Sequence, residues 1–242
     1  MNAENPENPE NPANAESPQN SAVPRLVAAR CLRYPDELLY AQLPLLRTAL
    51  SEHAVPGAAR LRDFVDVVAA TEPLDLAAHY TSTFDTRNRR CLYLTWWADG
   101  DTRRRGLSLV RLKRIYRDHG LEFSHEELPD FLPAVLEFAG RHEEPGTRLL
   151  QEHRAGLELL RLALIEAGTP YADVLEAVCA TLPGASPTTK AEAKALAKAG
   201  PPRESVGLEP LGPGAEPFGP GAEPFGPGAE LPWPGFPERK DS

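Results

Sequence analysis

The sequence predicts an all-α fold, a single-domain bundle of about eight to ten helices with a disordered tail at each end. Apolar residues recur at three- and four-residue steps through the middle of the chain, and strand-like alternation is nearly absent. Of the 26 prolines, fifteen fall in residues 1–20 and 201–242. Segments so poor in branched apolar side chains do not offset their own chain entropy. The chain therefore divides into a tail over 1–21, a helical domain over 22–184, an alanine-rich helix over 185–200 and a second tail over 201–242.

Residues 3–12 repeat Glu-Asn-Pro, and proline both lacks a donor and pushes its predecessor toward extended backbone. In the domain, Leu39, Leu43, Leu46 and Leu50 form one apolar stripe, and Leu61, Phe64, Val65 and Val68 form the next. Leu76, Tyr80 and Phe84 share a face of a helix that runs into the segment 84–106. After a turn at Gly100-Asp101, Leu109, Leu112, Ile115 and Tyr116 share a face, which leaves Arg111, Lys113 and Arg114 toward solvent. Asp130 is placed as the cap of the following helix, with Pro133 in its first turn, where backbone donors have no helical acceptor. Phe131, Val135 and Phe138 are that helix's inward stripe.

Leu149, Leu150, His153, Leu157, Leu160 and Leu164 predict the longest helix, ended by Gly168 and Pro170. Tyr171, Val174, Leu175, Val178 and Leu182 follow, up to Pro183-Gly184. Ser186 is the expected cap of the last helix, with Pro187 at its first position and an alanine-rich face that either docks or frays. The C-terminal tail repeats GPGAEPF from Gly212 and Gly219, and in degenerate form from Gly226. Two prolines and two glycines per unit forbid a coiled coil despite the seven-residue period.

The net charge of -9 belongs to the tails, whose excess of acidic residues leaves about -1 for residues between them. It bears on solubility and long-range fields rather than on what the domain binds. Cys31, Cys91 and Cys179 are widely spaced, odd in number and without a CxxC pattern, which reads as structural thiols in a reducing compartment. With no signal-like N-terminus and no run of eighteen apolar residues, the expectation is a soluble, cytoplasmic protein without membrane insertion.

Catalytic patterns are missing. None of His53, His79, His119, His125, His142 and His153 pairs with another at i+3 or i+4, so no metal site is expected, and His153 reads as a core residue on its apolar stripe. Glu126-Glu127 and Glu143-Glu144 fall where acids serve helix starts and solvated loops. Phosphate-cradling and nucleophile-elbow motifs do not occur. The expectation is a non-enzyme with no catalytic residues.

The segment that departs furthest from ordinary helical sequence is Phe84–Gly106. Between Asp85 and Asp118 stand ten Lys or Arg against four Asp, a local net of +6. Arginines beside Tyr93, Trp96 and Trp97 are suited to stacking on bases and neutralising phosphates, so one reading is a helical nucleic-acid-binding regulator using the basic 87–117 face. The other is internal: Asp85, Asp99 and Asp101 pair with Arg87, Arg103 or Arg105 and fix the turn.

Within and around this segment the sequence resembles the nitrate reductase molybdenum-cofactor assembly chaperones, the NarJ-type delta subunits, which are related to redox-enzyme maturation chaperones. The resemblance is carried by Tyr34-Pro35-Asp36-Glu37, by Tyr80-Thr81-Ser82-Thr83-Phe84-Asp85, and above all by Cys91-Leu92-Tyr93-Leu94-Thr95 leading into Gly100-Asp101-Thr102-Arg103. It continues through Glu127-Leu128-Pro129-Asp130 and the helix from His153 to Leu160, ends near Cys179, and covers about residues 26–183. Trp96-Trp97 stand where the family pattern has two tyrosines.

The resemblance implies an all-helical, non-catalytic chaperone that binds the apo catalytic alpha subunit of a respiratory nitrate reductase, especially its N-terminal segment. It would assist molybdenum cofactor insertion and assembly before membrane docking, and be absent from the mature enzyme. The bis-molybdopterin guanine dinucleotide belongs to the client, so no cofactor site and no nucleic-acid partner is expected, and the chain is a monomer or dimer. Recognition is expected as a helix in a groove. Tyr93, Trp96 and Trp97 are the expected walls, and Asp101, Arg103 and Arg105 rim or turn-fixing residues; Asp101 and Arg103 are favoured for the turn.

Overall fold

The structure is a computed structural model that describes residues 21–52, 55–86, 88–122 and 127–199. The disorder expected over 1–20 and 201–242 lies outside these residues, as do His53, Arg87, His125 and Glu126. Among the described residues there are eleven α-helices and no strand: α1 (Ala22–Cys31), α2 (Glu37–Glu52), α3 (Ala58–Ala70), α4 (Pro73–Phe84), α5 (Leu94–Asp99), α6 (Arg103–Asp118), α7 (Leu132–Arg141), α8 (Glu143–Glu152), α9 (Arg154–Glu166), α10 (Tyr171–Ala180) and α11 (Lys190–Ala199). A 3-10 turn occupies Asn88–Arg90.

The count exceeds the expected eight to ten partly because the helix expected over 149–164 is two. At His153 the backbone leaves the helical range (φ -100°, ψ 11°), ending α8 and starting α9. Leu150 and Leu157 stay in phase across the break, so apolar periodicity gives no sign of it. Both halves gain a contact they would lose as one rod: α8 packs on α7, while α9 packs on α10 and α11.

The expected stripes of α2, α3, α4 and α10 are all buried, and their removal from water is the main stabilising term. α1 runs through the middle, touching α2, α3, α7 and α10. It carries a fully buried arginine that its sequence does not advertise. The Arg25 guanidinium donates from Nε to Thr181 Oγ1 at 3.2 Å and from its terminal nitrogens to the carbonyls of Ala139 at 3.3 Å and Thr181 at 3.1 Å. A cation here serves carbonyls at the ends of α7 and α10, where the helix dipoles favour positive charge.

A second buried charge cluster holds the chain just beyond Thr181. Glu158, wholly buried, accepts from Arg154 Nε at 2.8 Å, Arg161 Nε at 2.6 Å and the Ser186 hydroxyl at 2.8 Å. The two arginines also donate to the carbonyls of Pro183, Gly184 and Pro187, so one ion cluster holds the connection into α11. Ser186 is thus spent on Glu158 and is not the helix cap. α11 starts at Lys190, with Thr189 Oγ1 accepting the Glu192 N–H at 3.2 Å while the Glu192 carboxylate accepts from Thr188 N at 2.8 Å. The cap is thus displaced along the chain from the expected site, with the Glu192 carboxylate reaching the residue before it. Ala193 is fully buried, so the alanine-rich helix docks, and it does so on α9.

Removing one member of a buried ion cluster strands the others, so Glu158→Gln is expected to cost about 3–5 kcal/mol in urea unfolding. Burial lowers the His153 pKa, which favours the neutral ring in the fold. That contribution is present above the unfolded value, about 6.5, and is lost as pH falls below it. The stability of His153→Gln is therefore expected to depend less on pH below about 6.5 than that of the unsubstituted chain.

Candidate functional site

The segment singled out by sequence is held by a single buried carboxylate. Asp130 is fully buried, and its Oδ2 accepts from the Thr95 backbone N–H at 3.2 Å and from the Thr95 hydroxyl. Arg105 reaches the same pair, donating from Nε to Thr95 Oγ1 at 3.2 Å with a terminal nitrogen 3.7 Å from Asp130. Backbone bonds flank this knot: Leu94 N–H to the Asp130 carbonyl at 2.9 Å and Leu132 N–H to the Leu92 carbonyl at 2.7 Å. An isolated antiparallel bridge thereby pairs Tyr93 with Phe131. Asp130 was expected to cap α7; instead it serves the first turn of α5, and α7 begins after Phe131 without a side-chain cap.

The knot sets one wall of a cleft of about 420 Å³. Tyr80, Phe84, Leu92, Tyr93 and Phe131 give it apolar surface, and Arg33, Asp36, Asp85 and Glu127 give it a polar margin. Its floor is fixed from behind: Tyr171 packs edge-on to Phe84 (centroids 4.9 Å apart) and to Tyr80 (5.9 Å), and the Tyr80 hydroxyl donates to the Leu32 carbonyl at 3.1 Å. Tyr34, half exposed at 53%, stands edge-on to Tyr80 at 5.5 Å. Tyr93 lies against Phe131 at 5.5 Å and donates its hydroxyl to Glu127 Oε1 at 3.0 Å. Burial, then the bonded Glu127 carboxylate, push the Tyr93 phenol up to about 12, so it is a neutral donor near neutral pH. Burial also raises the Cys91 thiol in the same wall, which keeps it protonated rather than nucleophilic.

The six residues expected to act together are separated. Tyr93 lines the cleft; Trp96 and Trp97 do not. Trp97 donates its indole N–H to the Cys91 carbonyl at 3.0 Å and lies over Gly156 of α9, where an added Cβ would come within 2.7 Å of the Trp97 Cβ. Trp96 is half-buried on α5. Arg105 is turned inward onto Thr95 and over the Tyr93 ring, 5.8 Å from its centroid. Asp101 and Arg103 are exposed and make no ion pair or hydrogen bond among the described residues. The turn they were favoured to hold is fixed by Asp99, whose carbonyl accepts from Thr102 Oγ1 at 2.9 Å and whose carboxylate accepts from Ser108 Oγ at 2.6 Å, with Gly100 at positive φ.

Sequence reasoning missed the cleft's other contributors. Tyr34, Asp36, Tyr80, Phe84, Asp85 and Glu127 all line it, and each lies in a stretch that carries the family resemblance. Shared membership of those stretches was the available signal; separations of 44 residues from Asp36 to Tyr80 and 42 from Asp85 to Glu127 gave no local cue. A second cavity of about 400 Å³ lies between α1 and α2, lined mainly by Val23, Leu26, Val27, Leu45, Leu46 and Ala49, and Arg33 borders both. Among the described residues no three His, Cys, Asp or Glu side chains gather as a metal site, and no helix is long and apolar enough to cross a membrane.

If Asp130 fixes the cleft wall, Asp130→Ala strands Thr95 and Arg105 and is expected to cost about 3 kcal/mol or more in urea unfolding. Asp130→Asn keeps an acceptor for Thr95 and should recover part of that loss.

The family model for the nitrate reductase delta subunit matches residues 47–177, more than half of the chain. The Mycobacterium tuberculosis nitrate reductase-like protein NarX is 40% identical over 155 residues, covering 64% of this chain and 23% of that longer protein. A Bacillus subtilis protein named as a probable nitrate reductase molybdenum cofactor assembly chaperone, NarJ, is 32% identical over 156 residues, 62% of this chain and 83% of its own length. The Escherichia coli K12 chaperone NarJ is 33% identical over 116 residues, 47% and 49% of the two chains. This chain therefore spans less than a quarter of the NarX protein and about half of the Escherichia coli chaperone. On the family match across 47–177, the chain belongs to the nitrate reductase delta subunit family.

Proposed function

We propose that this chain is a system-specific assembly chaperone for a respiratory nitrate reductase. It binds the apo catalytic alpha subunit through that subunit's N-terminal segment, assists molybdenum cofactor insertion and releases the client before membrane docking. The observation that carries the reading is that distant segments within the family match, around Tyr80–Asp85, Cys91–Tyr93 and Glu127–Phe131, converge on one aromatic-walled cleft. The names of the Bacillus subtilis and Escherichia coli relatives support the same role.

The proposed mechanism is recognition without catalysis. An amphipathic client helix buries an apolar anchor against Tyr34, Tyr80 and Tyr93, where aromatic side chains offer large contact area at low entropic cost. Asp36, Asp85 and Glu127 at the margin set its register through polar and ionic contacts. Tyr93 stays neutral, so it offers the client an aromatic face rather than a charge. The cofactor belongs to the client, and this chain acts in the cytoplasm as monomer or dimer. Two cations of the basic 87–117 face are paired within the chain, Arg105 with Thr95 and Asp130 and Arg111 with Glu152 at 2.8 Å.

Calorimetry with the cognate N-terminal peptide and with the apo subunit tests this. Micromolar or tighter binding is expected, and Tyr34→Ala and Tyr93→Ala are each expected to weaken it about tenfold, as central aromatic anchors do. Trp96→Ala should change it little. No binding to either peptide or apo subunit contradicts the proposal.

A further inference from the structure

One feature of the fold is used neither by the core nor by the cleft: the outward face of α6. Of its sixteen residues only Leu112 and Tyr116 are buried. Arg103, Leu107, Val110, Arg114 and Arg117 follow steps of four and three, which lines them along one face of the helix. Leu107 is 74% exposed and Val110 64%, among the most exposed large aliphatics of the described chain. Arg104 extends the basic end of the stripe, and Gly106 beside it faces open space. An aliphatic pair is thus bracketed by cations on both sides.

The cations are largely unspent. Arg103, Arg104 and Arg117 make no ion pair among the described residues, and Arg114 reaches only the exposed Asp118 at 3.9 Å. Three classes of anionic partner fit such charge. Nucleic acid rewards cations and stacking rings but gains nothing from Leu107 and Val110, and no aromatic residue lies on the stripe. An acidic helix would need a groove to lie in, and neither the cleft nor the α1–α2 cavity is lined by an α6 residue. An anionic lipid surface suits a convex ridge: the aliphatic pair enters the headgroup boundary while flexible arginines reach the phosphates.

The geometry points to α6 as a peripheral docking face for anionic lipid, contacting the bilayer surface without crossing it. A few arginines and two aliphatic side chains make a weak, reversible contact, strongest at low salt. Because the cations and the aliphatic pair share one face of α6, the contact is oriented.

The test is flotation of the full chain with vesicles of phosphatidylcholine alone, or of equal parts phosphatidylcholine and phosphatidylglycerol. Binding is expected only to the mixed vesicles and only at low salt. R103E/R104E/R117E is expected to lower it about tenfold or more, and L107S/V110S to lower it severalfold, with thermal unfolding of all variants unchanged. Three results overturn the inference. One is no binding to mixed vesicles at low salt. Another is vesicle binding that L107S/V110S leaves intact, which means a plain polyanion contact. The third is retention on polyglutamate or a DNA duplex without vesicle binding, which assigns the face to another polyanion. Client-peptide affinity of the same variants should be unchanged, so the outcome is independent of the chaperone proposal.

Discussion

A buried carboxylate, Asp130, is the constraint on which the rest of the site depends. Asp130 has left water completely, and such a charge is tolerated only when hydrogen bonds and a countercharge meet it. Thr95 supplies two donors and Arg105 the countercharge, which forces the residues before α5 and those before α7 into register. Tyr93 is thereby laid beside Phe131, and the chain around Leu92 becomes a wall rather than a loop. Arg105 is consumed in the process, so this one arginine of the basic segment belongs to the internal frame.

The same logic recurs at Arg25 and at Glu158. Both are charges with no solvent, and both tie together pieces of chain far apart in sequence: Arg25 joins α1 to the ends of α7 and α10, and Glu158 joins α9 to the connection before α11. A bundle built on leucine alone would pack in several registers; polar groups that must find their partners are one way to select among them. Much of the family-like sequence is explained by these knots. Asp130, Thr95, Arg154 and Glu158 are spent on holding elements in place, whereas Tyr34, Tyr80 and Tyr93 have surface facing the cleft.

The helices were largely legible because their stripes obey a local period: every stripe residue named for α2, α3, α4 and α10 is buried. What escaped depends on contacts between distant segments. Asp130 stands just before Leu132-Pro133 and so looks like a cap, yet its partner is 35 residues back. Ser186-Pro187 has the form of a helix start, but the buried Glu158 claims the hydroxyl and Thr189 takes over as cap. His153 breaks a helix whose apolar phase continues unbroken. Of the three expected wall residues Tyr93 lines the cleft, while Trp96 and Trp97 were grouped with it by adjacency, and a six-residue helix points successive side chains about 100° apart. Leu107 and Val110 escaped because an aliphatic residue in a helical pattern reads as core until its burial is known.

The Asp130 knot, not the arginine cluster, organises this region. Amide hydrogen exchange of the free chain tests it most directly, because the amides of Leu94, Thr95 and Leu132 are the ones the knot occupies. These three are expected to exchange as slowly as the core amides of α7, through global unfolding. Exchange on the timescale of a surface loop, while α7 stays protected, would contradict it.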